Sequence, residues 1–179
     1  MENGLVERAR QGDREACEEL VRRHQDRVFH YALYLLPTQQ DAEDVVQETF
    51  LQAYRNLKGF RGEAAFGTWL LAIARARVAL WYRRRKLEDR VSELNEPSPV
   101  DLEAPTLMKI EIRSAVARLP VAYREVIVLR YVHELDLVEI ARAMGISVTA
   151  VGVRLHRARR MLRESLSAVR TEEECAHEM

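Results

Sequence analysis

Apolar residues recur every three or four positions along most of the chain, which is the spacing of amphipathic helices. The apolar positions of the first such series are Leu20, Val21, His24, Val28, Ala32 and Leu35. Pro37 ends this predicted helix because proline cannot continue it. A second helix is predicted over residues 40–56 and a third over residues 66–86. Since no convincing strand pattern occurs, we predict an all-α protein.

The second predicted helix combines acidic residues near its start with a long apolar stripe. Asp41 lies in its first turn, where the helix dipole favours a negative charge. The stripe that we expect to be buried consists of Val45, Val46, Thr49, Phe50, Ala53, Tyr54 and Leu57. Gly59 and Gly62 then bracket a short turn that leads into the third helix.

A segment rich in proline separates this helical region from a second one. Residues 92–105, SELNEPSPVDLEAP, contain three prolines and no helical stripe. They predict a flexible acidic linker over residues 91–106, which joins two small helical domains at residues 1–90 and 107–170. The last nine residues, TEEECAHEM, are predicted to form a frayed tail over residues 171–179.

The second domain contains a helix-turn-helix pattern. Its helices are predicted near residues 107–118, 122–133, 137–144 and 148–166. Ala141 is the small residue where the last two helices cross, and Gly145 lies in the turn between them. Ser147 is a natural N-cap for the final helix, which is positioned by the buried Val151. The apolar positions between the two helices are Ile140, Met144, Ile146 and Leu155.

The net charge of zero conceals a strong segregation of charge along a globular chain that is 47% apolar and 31% charged. Residues 1–50 hold six basic and eleven acidic groups, whereas residues 51–87 hold nine basic groups against Glu63 alone. Residues 88–105 carry six acids and one arginine, and residues 148–163 carry five arginines and no acid. This alternation of basic and acidic segments is typical of a protein that binds a polyanion.

The two basic segments suit DNA in different ways. The final helix bears Arg154, His156, Arg157, Arg159 and Arg160. This pattern favours a helix that lies in the major groove beside phosphates, and the alternative is a helical hairpin with a solvated basic face. In the first domain, aromatic residues lie among the arginines and could stack on single-stranded bases, although the same spacing is typical of a core, where we expect Trp69. Phe60 and Arg61, in the turn between glycines, are the better candidates for contact with an extruded base.

The sequence contains no catalytic constellation and no cofactor-binding motif. Its histidines are scattered, and no Gly-rich phosphate loop occurs. Cys17 and Cys175 have neither the number for a disulfide framework nor the spacing of a zinc site. No apolar run of about 18 residues occurs, and residues 1–20 are too charged for a signal peptide. We therefore expect a cytoplasmic protein that is not an enzyme, binds no metal or cofactor, and does not insert into membranes.

Two long segments resemble conserved regions of the bacterial RNA polymerase sigma factors of the sigma-70 family, in particular the extracytoplasmic-function (ECF) group. The segment DAEDVVQETFLQAYRNLKGFRGEAAFGTWLLAIAR, Asp41 to Arg75, resembles region 2. The segment LPVAYREVIVLRYVHELDLVEIARAMGISVTAVGVRLHRARRMLRESL, Leu119 to Leu166, resembles region 4. The resemblance implies a factor that binds core RNA polymerase and directs promoter-specific transcription initiation by recognising −35 and −10 elements.

The resemblance also implies roles for individual residues. The residues that match the polymerase-docking helix of region 2 are Asp41, Asp44, Gln47, Glu48 and Phe50. Those in the segment that opens the −10 element and captures its non-template strand are Phe60, Arg61, Arg75, Arg77, Arg83, Arg84 and Arg85. The helix-turn-helix matches the part that recognises the −35 element, with Arg154, His156, Arg157, Arg159 and Arg160 on DNA. An anti-sigma factor is a further implied partner, and we expect the free factor to be a monomer.

Some positions depart from the family pattern. Ala76 stands where Asn is frequent, Leu80 where Asp is frequent, and Gly152 where Lys or Arg is usual. Val153 often is Ser in the family, and Glu134 replaces a customary Gly. These departures predict an unusual or weakened promoter preference. They also leave two alternatives: a degenerate sigma-like protein that binds polymerase or an anti-sigma factor without initiating, and an ordinary helix-turn-helix regulator with a dimer interface and a palindromic site.

Overall fold

A computed structural model of the chain describes residues 2–88 and 114–177, with side chains for residues 2–86 and 114–167. The chain divides into two compact units, and all regular structure in the described residues is helical. The prediction of an all-α protein with two small helical domains is therefore confirmed. The predicted linker, residues 91–106, lies outside the described residues. No helix in the described ranges is long and apolar enough to cross a membrane.

The first unit contains four helices, two of which begin at a capping side chain. Their bounds are Glu2–Arg10 (α1), Arg14–Leu35 (α2), Gln39–Asn56 (α3) and Phe66–Glu88 (α4), with a 3₁₀ turn at Leu57–Gly59. Asp13 caps α2 by accepting the N–H of Ala16 at 3.1 Å. Thr38 caps α3 by accepting the N–H of Asp41, also at 3.1 Å. The three predicted helices are present, and α1 is a further helix that the apolar pattern did not predict.

The core of the first unit lies along α2, which packs against each of the other three helices. Tyr31 and Leu35 of α2 and Leu70 and Leu71 of α4 are fully buried. Burying a side chain of this size contributes about 1.5–3 kcal/mol, so these four residues contribute substantially to the stability of the unit.

Helices α2 and α4 approach closely at Gly67. A Cβ atom at this position would lie 3.2 Å from both His24 Cε1 and the Nη1 atom of Arg27. The imidazole of His24 is buried, packs edge-on against Phe66 with ring centroids 5.3 Å apart, and lies 2.7 Å from a carboxylate oxygen of Glu2. Glycine therefore allows α4 to cover a histidine that also connects α1 to α2.

The buried stripe of α3 differs from the prediction at its last aromatic residue. Val45, Thr49, Ala53 and Leu57 are buried as predicted, Val46 and Phe50 are half-buried, and Tyr54 is 65% exposed. Tyr54 follows Val45 by nine residues, which at about 100° per residue places the two on opposite sides of the helix. The prediction that Tyr54 is buried is therefore wrong.

The second unit begins with helical residues 114–117 and continues with three further helices. These are Val121–Ile127 (α5), which continues as a π-helical turn at Val128–Val132, then Leu137–Met144 (α6) and Val148–His177 (α7). Helix α5 packs against α7. The buried guanidinium of Arg124 donates to the carbonyl of Leu119 at 3.0 Å and to that of Ala117. This satisfies carbonyls at the end of residues 114–117.

Helix α7 is longer than the sequence pattern predicts. It runs to His177 instead of ending near Leu166, so residues 171–177 continue the helix where we expected a frayed tail. Because no proline or glycine follows Gly152 in this segment, and glutamate and arginine are good helix formers, nothing in the sequence stops the helix. Residues 178–179 lie outside the described part of the chain.

Candidate nucleic-acid interface

The turn between α6 and α7 has the caps and the glycine that a helix-turn-helix needs. Ser147 Oγ accepts the N–H of Ala150 at 3.1 Å and so caps α7 as predicted. Gly145 has φ +65°, in the left-handed region that side chains other than glycine rarely adopt. At the start of α6, Asp136 Oδ1 accepts the N–H of Glu139 at 2.8 Å, and the Glu139 carboxylate accepts the N–H of Asp136 at 3.0 Å. This reciprocal capping box was not predicted from the sequence.

The apolar positions that the sequence predicts to face inward in the motif are largely buried. Ile140, Ala141 and Met144 of α6 and Val151 and Leu155 of α7 are buried, and Ile146 in the turn is half-buried. The predicted inward positions of the helix-turn-helix are therefore confirmed.

Helix α7 has separate inner and outer faces. Val151, Leu155 and Ala158 are buried and define the inner face. The outer face lies on the opposite side and consists of Thr149, Val153, His156, Arg157 and Arg160, which are exposed. The structure thus brings His156, Arg157 and Arg160 together on one solvent-facing surface, with no part in the core.

The other two predicted −35 residues lie on the flanks of α7. Arg154 and Arg159 are five positions apart, which separates them by about 140° around the helix. Arg159 Nε donates to the hydroxyl of Tyr131 at 2.8 Å, and its guanidinium carbon lies 5.7 Å from the centre of that ring. Arg160 lies 3.7 Å from Glu164 in an exposed pair, which is weak and leaves the arginine available to a stronger anion.

Two departures from the family pattern have visible structural consequences. Glu134 has φ +56°, so a residue with a Cβ occupies the left-handed conformation for which glycine is suited. At Gly152, a Cβ would meet nothing within 4 Å, so no contact inside the described residues requires glycine there. The first departure stores strain in a turn, and the second removes a side chain from a surface next to the outer face.

In the first unit, the two neighbouring candidates for base contact differ sharply in exposure. Phe60 is only 8% exposed, because its ring packs against Phe66 and Trp69 with centroids 5.5 and 5.0 Å away. The side chain of Arg61 is 83% exposed. The placement of Phe60 does not agree with the expectation that it contacts a base, because its apolar neighbours cover it, whereas Arg61 is accessible.

The arginines of α4 do not share one face. Arg75 and Arg77 are half-buried and, being two residues apart, lie about 160° from each other around the helix. Arg83 and Arg84 are exposed, and the guanidinium carbon of Arg85 lies 5.2 Å from the centre of the Trp81 ring. The seven residues predicted for the −10 element are therefore spread along α4, from the turn before its start to its last turns, and around more than one of its faces.

Helices α3 and α4 are linked through residues that the sequence assigned to different partners. Trp81 Nε1 donates to Asp41 Oδ1 at 2.9 Å, while Thr38 Oγ1 donates to the other oxygen of the same carboxylate. Glu48 and Arg84 form an exposed pair at 3.9 Å. Asp41 thus has internal partners, and its carboxylate positions the end of α4.

The outer face of α3 carries three of the five predicted polymerase-docking residues: Asp44, Gln47 and Glu48. Asp41 and Phe50 are half-buried on the two flanks. The same outer face contains Leu51 and Tyr54, which are 58% and 65% exposed. Sequence reasoning missed these two residues; a helical projection centred on Val45 and Ala53 would have found them.

No metal or nucleophilic site accompanies these surfaces in the described residues, where no group of His, Cys, Asp or Glu is placed to hold a metal ion. Cys17 is half-buried, and burial raises the pKa of its thiol. A thiol with a raised pKa is a poor nucleophile at neutral pH.

The comparisons with known proteins agree with this geometry. Residues 20–88 match the family profile of Sigma-70 region 2, and residues 109–162 match that of Sigma-70, region 4. The chain is 31% identical over 180 residues to the ECF RNA polymerase sigma factor SigW of Bacillus subtilis, covering 90% of this chain and 94% of SigW.

Similar solved structures include two sigma factors in complexes. CnrH, solved in complex with the cytosolic domain of CnrY, is 30% identical with a TM-score of 0.71, covering 92% of this chain and 96% of CnrH. The sigma factor RpoE of Bartonella quintana, solved in complex with the anti-sigma factor NepR, shares the fold at 23% identity with a TM-score of 0.75, covering 84% of this chain and 96% of RpoE. With both regions matched in order and a relative aligned over nearly its whole length, the chain belongs to the ECF group of the sigma-70 family of RNA polymerase sigma factors.

Proposed function

We propose that the chain directs core RNA polymerase to promoters by placing the outer face of α7 in the major groove of the −35 element. The observation that carries this proposal is the separation of α7 into a buried inner face and an exposed outer face with His156, Arg157 and Arg160. Arg157, at the centre of that face, contacts base edges together with His156. Arg154, Arg159 and Arg160 bind phosphates. Arg159 is held by Tyr131 on the flank, which suits a phosphate contact at the groove edge.

The first unit opens the −10 element and holds its non-template strand. Arg61 is the accessible residue of the turn and contacts the extruded base or its phosphate. Phe60 stabilises the turn by packing against Phe66 and Trp69. Arg75, Arg77, Arg83, Arg84 and Arg85 bind the backbone of the strand as it passes around α4. Arginines spread along the helix are suited to this task because successive phosphates of a single strand can each meet a positive charge.

The outer face of α3 docks on the polymerase through Asp44, Gln47 and Glu48. Asp41 and Phe50 support that face from its flanks. The factor acts in the cytoplasm as a regulator and not as an enzyme, without a metal or cofactor, and is a monomer when free. Because RpoE was solved with the anti-sigma factor NepR, we extend the proposal to an anti-sigma factor that covers the same surfaces.

The division into two small domains explains why polymerase is needed. Each basic surface binds DNA weakly alone, since it carries only a few phosphate contacts. Docking on polymerase fixes the distance between the two domains, residues 1–90 and 107–170. Once one domain has bound its promoter element, binding of the other domain to its own element is then an intramolecular step. We therefore expect weak DNA binding by the free chain and tight, promoter-specific binding by the holoenzyme.

Run-off transcription from fragmented genomic DNA tests the proposal, using bacterial core polymerase with and without the chain. The expected result is a set of discrete transcripts that share two upstream elements. Arg157→Ala should reduce their yield about fivefold or more, because a good base contact is worth about 1–3 kcal/mol. Arg118→Ala, which removes an exposed arginine away from α7, is the matched control and should leave the yield unchanged.

Polymerase binding without transcripts would instead support the degenerate sigma-like alternative. Specific DNA binding by the free chain without polymerase would support an ordinary helix-turn-helix regulator.

A further inference from the structure

The outer face of α7 contains an apolar side chain among polar ones. Val153 is 46% exposed. It lies one turn after Thr149 and one turn before Arg157, and about 160° around the helix from the buried Val151. Its two methyl groups therefore point away from the core, toward the surface that the proposed function places against DNA.

Val153 borders a shallow groove on that surface. The groove has a volume of about 520 Å³, and its lining includes Thr149, Val153, Arg154 and Arg157. The guanidinium groups of Arg154 and Arg157 beside the apolar side chain of Val153 are suited to a ligand that has an anionic group next to an apolar one. A nucleotide with a methyl group on its base has this combination.

The neighbouring Gly152 lies about 100° around the helix from Val153, on the flank opposite Arg154, and permits close approach on that side of the outer face. No atom lies within 4 Å of where its Cβ would be, so packing inside the described residues gives no reason for glycine in a helix that it weakens by about 1 kcal/mol relative to alanine. Without a side chain at Gly152, the backbone of α7 can lie closer to a duplex on this side. A short side chain such as Val153 can then reach the base edges on the floor of the DNA major groove.

In the major groove, thymine alone of the four bases displays a methyl group. Valine has no hydrogen-bonding group, so its favourable contact with a base edge is apolar. We propose that Val153 is a specificity-determining residue that contacts the C5-methyl group of a thymine in the −35 element, with close approach permitted by Gly152. This inference rests on the proposed function, since it requires α7 to lie in the −35 major groove.

Deoxyuridine substitution tests the contact, because deoxyuridine differs from thymidine only by lacking the methyl group. The wild-type holoenzyme first identifies a promoter by its transcripts, and each thymine of the −35 element is then replaced singly. At one position, the substitution should lower promoter binding by the wild-type holoenzyme about fourfold, the effect of losing one buried methyl group. Val153→Ala should bind the thymine and deoxyuridine promoters equally at that position, and Val153→Thr should retain part of the difference.

Val138→Ala is the matched control. Val138 is also 46% exposed but lies in α6, so its variant should show the full wild-type response to deoxyuridine. Because Val153 is exposed, Val153→Ala should unfold at the wild-type temperature, which separates a lost contact from a lost fold.

Two results would overturn the inference while leaving wild-type transcripts intact. One is that replacing each −35 thymine by deoxyuridine leaves promoter binding unchanged at every position, or that the −35 element contains no thymine. The other is that the dependence persists in Val153→Ala. If the wild-type chain produces no transcripts at all, the proposed function fails and the contact with thymine fails with it.

Discussion

In α7, the side chains that stabilise the fold and those that face solvent are different residues. Val151, Leu155 and Ala158 pack inward, and Arg157 faces outward. In the first unit, the candidate DNA-binding region includes residues of the core: Phe60, proposed to support the −10 turn, is buried among aromatic rings, and Trp81 beside the arginines of α4 donates to Asp41. Substitutions on the outer face of α7 are therefore expected to alter DNA recognition alone, whereas substitutions at the buried residues of the first unit are expected to alter stability as well.

The largest expected effect is at Phe60. Phe60→Ala removes a ring that contacts Phe66 and Trp69 at centroid distances of 5.5 and 5.0 Å, and it should lower the free energy of unfolding of the first unit by about 3 kcal/mol. Urea unfolding followed by tryptophan fluorescence measures the change.

The neighbouring Arg61 is the control for that experiment. Arg61→Ala removes an exposed side chain and should leave the unfolding midpoint unchanged while it reduces promoter opening. If Phe60→Ala unfolds like the wild type and loses only promoter opening, the contrast between the two units is wrong.

A smaller effect is expected at the link between α3 and α4. Trp81→Phe keeps an aromatic ring but removes the hydrogen bond of 2.9 Å from Trp81 Nε1 to the Asp41 carboxylate. The first unit should lose about 1–2 kcal/mol of stability, as for a hydrogen bond to a charged group. Thermal unfolding by circular dichroism measures the loss. In Asp41→Asn, which retains an acceptor oxygen, the loss should be smaller; equal losses would contradict this origin of the effect.

Replacing one glycine in each unit by alanine is expected to change the stability of the two units in opposite directions. Gly67→Ala should destabilise the first unit by about 1 kcal/mol, because the new Cβ would lie 3.2 Å from the covered ring of His24. Gly152→Ala should stabilise the second unit by about 0.5–1 kcal/mol, because its Cβ would meet nothing within 4 Å. Measuring the free energy of unfolding of both variants tests whether the two changes have opposite signs. If Gly67→Ala were stabilising, the side chains of α2 next to Gly67 would have to move aside at little cost.

The smallest effect concerns the response of the first unit to acid. The N–H of Ala16 and the guanidinium of Arg8 lower the pKa of Asp13 below its usual value of 3.8. A carboxyl group with a lowered pKa in the folded state contributes stability above its unfolded pKa and loses that contribution as pH falls through the folded pKa. The stability advantage of the wild type over Asp13→Asn should therefore be present at neutral pH and shrink below pH 3.8, as urea unfolding at several pH values would measure. An advantage that does not change with pH would contradict a role for the charge.

The sequence pattern predicts best where one face of a helix is buried against one neighbour. Ile140, Met144, Val151 and Leu155 are buried as predicted, and the Ser147 cap is present, because helical period and capping chemistry are local properties. The prediction for Tyr54 is wrong because hydrophobicity alone does not place a residue on the buried side, whereas its separation of nine residues from Val45 places it on the outer face.

Long-range contacts account for what the pattern could not show in the site. The burial of Phe60 depends on Trp69, and the hydrogen bond from Trp81 to Asp41 joins residues forty positions apart. The hydrogen bond from Arg159 to Tyr131 likewise spans 28 positions. These pairings depend on how helices pack, which composition and spacing do not specify.

The most direct test of the account is a footprint of the wild-type holoenzyme on its own promoter, combined with permanganate reactivity to detect unpaired thymines. The account predicts protection of the −35 duplex together with unpaired thymines at the −10 element. Arg157→Ala should lose the −35 protection first, and Arg61→Ala should lose the unpaired thymines while the −35 protection remains. Loss of both signals in the same proportion in both variants would contradict the assignment of the two elements to the two units.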